Sequence, residues 1–217
     1  MLRTDRRVVC WGNEFSLFSA VATAAPVLND AVSIGVGNLH YCAVQGGQVF
    51  CWGYNHFRQL GNEVSMQLLP REVVGTEGAV SVAAGDGHTC AIIGLPPGNS
   101  VKCWGDNAAG QLGVTLPSMQ TRTSVPTVVP GVSNVSRISA GGRHSCAQLN
   151  DASIRCWGSN NSGQLGDNME SRFEPRAVQV APGVNLTNTL VVSAGGDHTC
   201  AALNDGRAFC WGSNNAA

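Results

Sequence analysis

Charged side chains are scarce in this sequence, and their scarcity limits the partners that electrostatics could hold. Only 12% of the residues are charged, about half of the roughly 25% that is usual for globular domains. The formal net charge is −1. So few and so evenly balanced charges provide no field for nucleic acid or for an anionic membrane surface. Electrostatics therefore suggest no particular partner, and we expect no nucleic acid to bind.

Long apolar runs and the signatures of common enzymes are also missing. No segment approaches the roughly 18 uninterrupted apolar residues of a membrane span. Near the N-terminus, Asn13 and Glu14 interrupt the apolar run that a signal peptide would need. The chain has no G-x-x-x-x-G-K-[ST], no kinase catalytic loop and no G-x-S-x-G elbow. We predict no membrane span in this chain, no catalytic residues, no cofactor and no metal.

Helical periodicity is absent as well, and in its place the sequence repeats itself. Cys-Trp-Gly begins at residues 10, 51, 103, 156 and 210, and His-x-Cys-Ala begins at 40, 88, 144 and 198. A third marker, Gln-Leu-Gly, begins at 59, 111 and 164. Three markers in the same order and phase indicate a true repeat.

The stretch 126–166 shows what one repeat contains. PTVVP and VSRIS are short β-branched runs closed by glycine, and HSCAQL and SIRCWG follow with three turn residues between them. Four short strands in roughly 50 residues are the unit of a β-propeller blade, and a β-solenoid is the alternative. We predict an all-β fold, a single partial propeller over 1–217 with about four blades. The approximate repeats, each predicted to form one blade, are 13–61, 62–113, 114–166 and the truncated 167–217, with 1–12 as the end of a preceding blade.

Eight of the nine cysteines fall into pairs that a hairpin would place face to face. If Cys42 faces Cys51, Gly46-Gly47 is left as a two-residue turn. The Cα atoms of non-hydrogen-bonded cross-strand pairs lie about 4.5 Å apart, near the short end of the disulfide range. Disulfides would indicate an oxidising compartment, whereas buried free thiols or zinc sites made with the nearby histidine are the alternatives. The predicted disulfides are Cys42–Cys51, Cys90–Cys103, Cys146–Cys156 and Cys200–Cys210, and Cys10 has no partner.

A tryptophan and a histidine recur in the repeats too regularly to be separate binding sites. A large aromatic side chain would fill the layer between neighbouring blades, and a ligand-stacking ring is the alternative. Each histidine follows a glycine by three residues, at a bend that needs either φ > 0 or a close approach, and we expect it to hydrogen-bond the backbone there. These structural residues are Trp11, Trp52, Trp104, Trp157 and Trp211, and His40, His88, His144 and His198.

The stretch AGGRHSCAQLNDASIRCWGSNNSGQLG at 140–166 resembles the regulator of chromosome condensation repeat. That repeat runs Ala-Gly, two variable residues, His, a strand, a turn, Trp-Gly, Asn and Gly-Gln-Leu-Gly. The resemblance implies a β-propeller, usually a seven-bladed ring, of which this chain would supply a part. The paired cysteines resemble the secreted, crinkly-like variant. YNHFRQLG departs from the repeat, because His56-Phe57-Arg58 replaces the residues before Gln59, including the usual glycine.

The function implied by these observations is a non-catalytic, disulfide-linked protein-interaction scaffold in an extracellular or lumenal compartment. Its binding surface is expected in the irregular loops 113–124 and 166–175, which carry residue types that suit protein contacts. The resemblance also leaves two alternatives, guanine-nucleotide exchange on a small GTPase and the ectodomain of a receptor kinase. The candidate binding residues are Met119, Arg122, Met169, Arg172 and Phe173.

Overall fold

The structure is a computed structural model, and the extended elements of the residues it describes are β-strands. It describes residues 8–14, 17–24, 28–117, 120–167, 169, 171–181 and 183–214, with the backbone alone at 9–14, 17–24 and 180–181. Within these ranges, no helix is long and apolar enough to cross a membrane. The strands are β1 (Val9–Glu14), β2 (Leu17–Ala24), β3 (Ala31–Val36), β4 (His40–Gln45), β5 (Gln48–Tyr54), β6 (Met66–Glu72), β7 (Ala79–Ala84), β8 (His88–Ile93), β9 (Ser100–Asp106), β10 (Arg122–Ser133), β11 (Val135–Ala140), β12 (His144–Leu149), β13 (Ile154–Gly158), β14 (Arg172–Ala177), β15 (Gln179–Ala181), β16 (Val184–Asn185), β17 (Thr189–Ala194), β18 (His198–Leu203) and β19 (Ala208–Gly212).

These strands form antiparallel sheets in which each strand pairs with the next along the chain. β3–β6, β7–β10 and β11–β14 are four-stranded sheets, which we call blades I, II and III, and β17–β19 form the three-stranded blade IV. β1 pairs with β2, and β15 pairs with β16. The first strands of successive blades, β3, β7, β11 and β17, lie against one another. The all-β propeller predicted from the sequence is therefore confirmed.

The sequence repeats and the blades are offset by one strand. All four runs predicted in 126–166 do form strands, but PTVVP lies in β10, which pairs with β9 in blade II. The other three runs lie in β11–β13 of blade III. The offset arises because the Gln-Leu-Gly motifs that end the sequence repeats lie between the third and fourth strands of a sheet. The fourth strand of each complete blade thus comes from the following repeat.

The hairpins have the register that counting residues predicts. Gln45 pairs with Gln48, and the two glycines between them have φ values of +57° and +78°, the positive values that a tight two-residue hairpin turn requires. In blade III, the Leu149 N–H donates to the Ser153 carbonyl oxygen at 2.9 Å. The three residues between them close the loop with Ala152 at φ +61°. The second and third strands of these blades are therefore fixed by local sequence.

The hydrophobic core lies between the blades rather than at one centre. Successive blades present apolar side chains to each other across the interface between them, whereas the last strand of blade IV, β19, is exposed or half-buried. One cluster contains Cys42, Cys51 and Leu60 together with Val82, Ala91 and Trp104 of blade II. A second contains Cys90, Cys103 and Leu112 together with Val135, Ala147 and Trp157 of blade III. The residues that recur in the sequence therefore meet at the interfaces between blades.

Candidate functional site

Each pair of facing cysteines forms a disulfide in the structure. The Cα atoms are 4.1 Å apart in all four pairs, Cys42–Cys51, Cys90–Cys103, Cys146–Cys156 and Cys200–Cys210. Sulfurs bonded to each other cannot serve as thiolate ligands for zinc. No group of three potential ligands for a metal ion occurs within the described ranges. Cys10 lies on β1, where the structure describes only the backbone.

The histidines at the start of the second strand join one blade to the next through a hydroxyl group. His40 Nε2 lies 2.8 Å from Thr89 Oγ1, and this hydroxyl donates to the Gln59 carbonyl oxygen at 2.8 Å. We expected the histidine side chain to hydrogen-bond the backbone at the bend. Its partner is instead a side chain of the next blade. The same arrangement recurs in His88, Ser145 and Gln111, and in His144, Thr199 and Gln164.

The direction of these hydrogen bonds fixes the histidine tautomer. A Ser or Thr hydroxyl has one proton, which it donates to the glutamine carbonyl, so it can only accept from the imidazole. Nε2 therefore carries the proton, and Nδ1 presents a lone pair. Consistently, the Nδ1 atoms of His40, His88 and His144 are buried and have no hydrogen-bond partner among the described residues.

Burial keeps these three imidazoles neutral. Desolvation lowers the pKa of His40 to about 4. Desolvation, together with repulsion from the two neighbouring histidines, lowers the pKa of His88 to about 3. Desolvation also lowers the pKa of His144 to about 4, although the nearby Asp197 opposes the shift. His198 in blade IV is exposed.

The tryptophans of the Cys-Trp-Gly motifs fill the layers between blades. Trp104 and Trp157 are fully buried, so neither ring has a face open to a ligand. Trp104 Nε1 donates to the Gln59 carbonyl oxygen at 2.9 Å, the same oxygen that accepts from Thr89. Trp157 bonds the Gln111 carbonyl oxygen in the same way. Trp52 is buried, Trp211 is half-buried, and Trp11 lies on β1 where side chains are not described.

The glycine three residues before each buried histidine is required by a close approach. A Cβ on Gly85 would overlap the Gly141 carbonyl oxygen and the His88 ring. A Cβ on Gly37 would meet Gly85 and His40 in the same way. Neither glycine has its φ in the left-handed region. Of the two reasons considered from the sequence, close approach is therefore the correct one.

Both candidate binding loops emerge at the same end of the blades. In an antiparallel sheet, the turns after the first and third strands leave at one end and the turns after the second and fourth strands leave at the other. We call these ends the A face and the B face. Loops 113–124 and 166–175 follow third strands and belong to the A face.

The candidate binding residues do not form one site. Phe173 lines a shallow groove of about 360 Å³ with Val114 and Pro175, whereas Arg122 lines a different cavity. Arg172 is paired with Asp167 at 2.8 Å. Met169 is 55% exposed, and Met119 lies outside the described residues.

A larger cavity, of about 650 Å³, opens on the A face across blades I, II and III. We call it the A-face cavity. His56 and Phe57 meet edge to face in its wall, with ring centroids 5.0 Å apart. Ionisable side chains of blades II and III complete the wall. The lining includes Leu39, Tyr54, His56, Phe57, Asp86, Asp106, Arg122 and Arg143.

Two features of this architecture were missed from the sequence, although each had a signal. Three of the four His-x-Cys-Ala motifs have a serine or threonine at the variable position, namely Thr89, Ser145 and Thr199, and the hydroxyls of these residues bond the histidines of the preceding blades. His56 and Phe57 stood out as a departure from the repeat, but nothing local showed that they would line a cavity.

Comparisons with known proteins identify the repeat. The family model of the regulator of chromosome condensation (RCC1) repeat matches residues 46–92, 100–148 and 154–202, and a second model with the same description matches 135–164 and 191–216. The Arabidopsis thaliana ultraviolet-B receptor UVR8 is 30% identical over 82% of this chain and 40% of its own length. The Arabidopsis mitochondrial RCC1 domain-containing protein RUG3 is 32% identical over 82% of this chain and 41% of its own.

Solved structures show the same fold. Yeast RCC1 (Prp20), solved with Kap60, superposes with a TM-score of 0.77 at 24% identity, over 90% of this chain and 47% of that chain. The ectodomain of the Physcomitrella patens receptor kinase CR4 gives a TM-score of 0.53 at 25% identity, over 97% of this chain and 47% of that chain. The chain spans about two fifths of the length of UVR8 and of RUG3. Because the repeat model matches most of the sequence and the blades match solved propellers, the chain belongs to the RCC1 repeat proteins.

Proposed function

We propose that this chain is a non-catalytic scaffold that binds a protein partner through the A face in an extracellular or lumenal compartment. The observation that carries the proposal is the distribution of exposed apolar side chains. Contiguous exposed apolar surface indicates an interaction site. The A face exposes Leu39, Tyr54, Phe57, Val64, Met66, Met169 and Phe173, whereas the B face exposes Val74, Leu95 and Val184. The outer strands β6 and β10 also expose Leu68, Leu69, Val125 and Val128, but these side chains belong to neither face.

The absence of catalysis is supported by what the recurring reactive residues already do. The paired cysteines are bonded to each other. His40, His88 and His144 are buried with a fixed tautomer, so they cannot exchange protons with a substrate at neutral pH. These residues hold the blades together and leave recognition to the loops.

The compartment is supported by the disulfides and by one relative. Disulfides persist in oxidising compartments and are rare in the cytosol, and this chain has four. The CR4 ectodomain is similar over 97% of this chain, which favours a receptor ectodomain as the second candidate. Guanine-nucleotide exchange has weaker support, because four disulfides favour an oxidising compartment over the cytosol or nucleus. A second structure of yeast Prp20, reported with its binding properties to Gsp1p and histones, is 23% identical and shows the fold alone.

Capture experiments with matched surface variants test the proposal. The chain is immobilised after secretion from an oxidising host and offered secreted and cell-surface proteins. We expect a partner that binds the wild type and the B-face double variant Val74→Ser/Leu95→Ser. The A-face double variant Phe57→Ser/Met169→Ser should lose it. Loss of the partner in the B-face variant alone, or acceleration of nucleotide release from a small GTPase, would show that the proposed function is wrong.

A further inference from the structure

We propose that the A-face cavity binds an extended acidic peptide segment of the partner, with an aromatic side chain of the peptide against Phe57 and its carboxylates against Arg143 and Arg122. This inference rests on the proposed function, because it names the chemistry that one part of the A face would recognise. Four features of the chain support it.

The first feature is a break in the repeat that places aromatic side chains in the cavity. The third repeat has Asn-Ala-Ala-Gly before Gln-Leu-Gly and the fourth has Asn-Asn-Ser-Gly, whereas the second has Asn-His-Phe-Arg. Arg58 occupies the position of Gly110 and Gly163 and keeps their left-handed backbone, with φ +65° against +85° and +80°. That conformation is unfavourable for a residue with a Cβ. Such an outlier points towards a functional role.

The second feature is a glycine in blade II, Gly87, which leaves room for the Phe57 ring. The residue before the motif histidine is Leu39, Gly87, Arg143 or Asp197 in successive blades. A Cβ on Gly87 would lie 2.9 Å from Phe57 Cδ2 and 3.4 Å from the Asp106 Cβ. The phenyl ring can therefore rest on the backbone of blade II only because this position is glycine.

The third feature is the support that holds the aromatic loop in place. Arg122 Nη1 donates to the His56 carbonyl oxygen at 2.9 Å, and the Phe57 N–H donates to Gln59 Oε1 at 2.8 Å. Ser124 Oγ donates to Glu63 Oε1 at 2.6 Å, which ties the same loop to β10 a second time. Phe57 nevertheless stays 39% exposed. A held but uncovered ring is preorganised for contact with another molecule.

The fourth feature is the set of hydrogen-bonding groups around the cavity that the chain itself leaves unused. Both Asp106 carboxylate oxygens are used, since they accept from the Ala108 N–H at 3.1 Å and from Gln111 Nε2 at 2.8 Å. The guanidinium of Arg143 makes no hydrogen bond or ion pair among the described residues. The Arg122 guanidinium donates one N–H to the His56 carbonyl oxygen, and its remaining N–H donors are available to a ligand. The wall therefore carries two carboxylates and two guanidinium groups, but the charged hydrogen-bonding groups left unused among the described residues are the guanidinium N–H donors of Arg143 and Arg122 together with the Asp86 carboxylate.

Cavity size and chemistry together select the occupant. Guanidinium groups bind carboxylates through paired, charge-assisted hydrogen bonds, and exposed aromatic rings add contact with an apolar or aromatic side chain. The cavity volume of about 650 Å³ lies within the range of about 300–1,000 Å³ that is usual for small-molecule binding sites. The cavity is therefore suited to a few residues of an extended chain.

Fluorescence anisotropy with defined peptides tests the inference on the whole 217-residue chain. Three labelled peptides share a Gly-Ser background and carry Asp-Trp-Asp, Asp-Ala-Asp or Lys-Trp-Lys at the centre. We expect the Asp-Trp-Asp peptide to bind best, and Phe57→Ala and Arg143→Gln each to weaken it by about tenfold. Arg155→Gln and Leu95→Ala, on the B face, are the matched controls and should leave binding unchanged. Mapping of the disulfides checks that every variant is folded.

Some results would overturn the inference while leaving the proposed function standing. Equal or tighter binding of the Lys-Trp-Lys peptide, or acidic peptide binding that neither Phe57→Ala nor Arg143→Gln weakens, would refute it. The same holds if a partner captured through the A face is not displaced by the Asp-Trp-Asp peptide. In that case the partner uses the A face outside the cavity.

Discussion

Mild acid should destabilise this propeller because three buried histidines must stay neutral for it to fold. In the native chain the pKa is about 4 for His40, about 3 for His88 and about 4 for His144, against an ordinary value of 6.5. Below pH 6.5 the unfolded chain therefore binds protons that the native chain does not. The stability contributed by the neutral histidines is fully present above this value and is lost as the pH falls towards 4.

The size of the effect follows from the same values. At pH 5.5, a group with a pKa of 6.5 in the unfolded chain and about 4 in the native chain reduces the free energy of unfolding by about 1.4 kcal/mol. Three such histidines give about 4 kcal/mol, compared with a total of about 5–15 kcal/mol for a typical domain. Most carboxyl groups remain ionised at this pH, so the histidines dominate the loss.

Denaturant unfolding at pH 7.5, 6.5 and 5.5 measures the effect. His88→Gln keeps a donor for the Ser145 hydroxyl but cannot be protonated, so it should remove about a third of the loss of stability between pH 7.5 and 5.5. Ser145→Ala is the matched control, because it lowers stability at each pH but retains the buried imidazole. The reasoning fails if the free energy of unfolding is the same at pH 7.5 and 5.5, or if His88→Gln retains the whole pH dependence.

Three further predictions concern stability measured by denaturant or thermal unfolding at neutral pH. Gly85→Ala should lower the free energy of unfolding by about 3 kcal/mol, because its Cβ overlaps backbone and an imidazole ring. Gly196→Ala, with open space around it, should change the free energy of unfolding little. Equal losses in the two variants would contradict the close-approach argument. Replacing both Cys146 and Cys156 by Ala, under non-reducing conditions, should lower the free energy of unfolding by about 3 kcal/mol for a loop of this length. An unchanged midpoint of the unfolding transition would show that the disulfide contributes nothing to stability. Arg58→Gly should be more stable than Arg58→Ala by about 1 kcal/mol, because only glycine adopts this backbone without strain; a more stable Ala variant would disprove it.

Much of the hairpin could be predicted from the sequence because hairpins are local. Cys42 faces Cys51 once Gly46-Gly47 is recognised as the turn, since side chains alternate strictly along a strand. The same counting gives the three-residue loop that closes with Ala152. The repeat of these hairpins, and the apolar residues on both of their faces, then determine that the chain stacks into an all-β propeller.

Tertiary structure alone decided how the copies meet. The fourth strand of each complete blade comes from the next repeat, and His40 bonds Thr89, which is 49 residues away. Likewise, Phe57 rests on Gly87 beside Arg122, although no local pattern links these positions. Spacing along the chain fixes hydrogen bonds within a hairpin, but contacts between blades depend on how two whole sheets pack. The sequence by itself therefore determined the blade hairpins, and only the packing of blade on blade produced the histidine network and the A-face cavity.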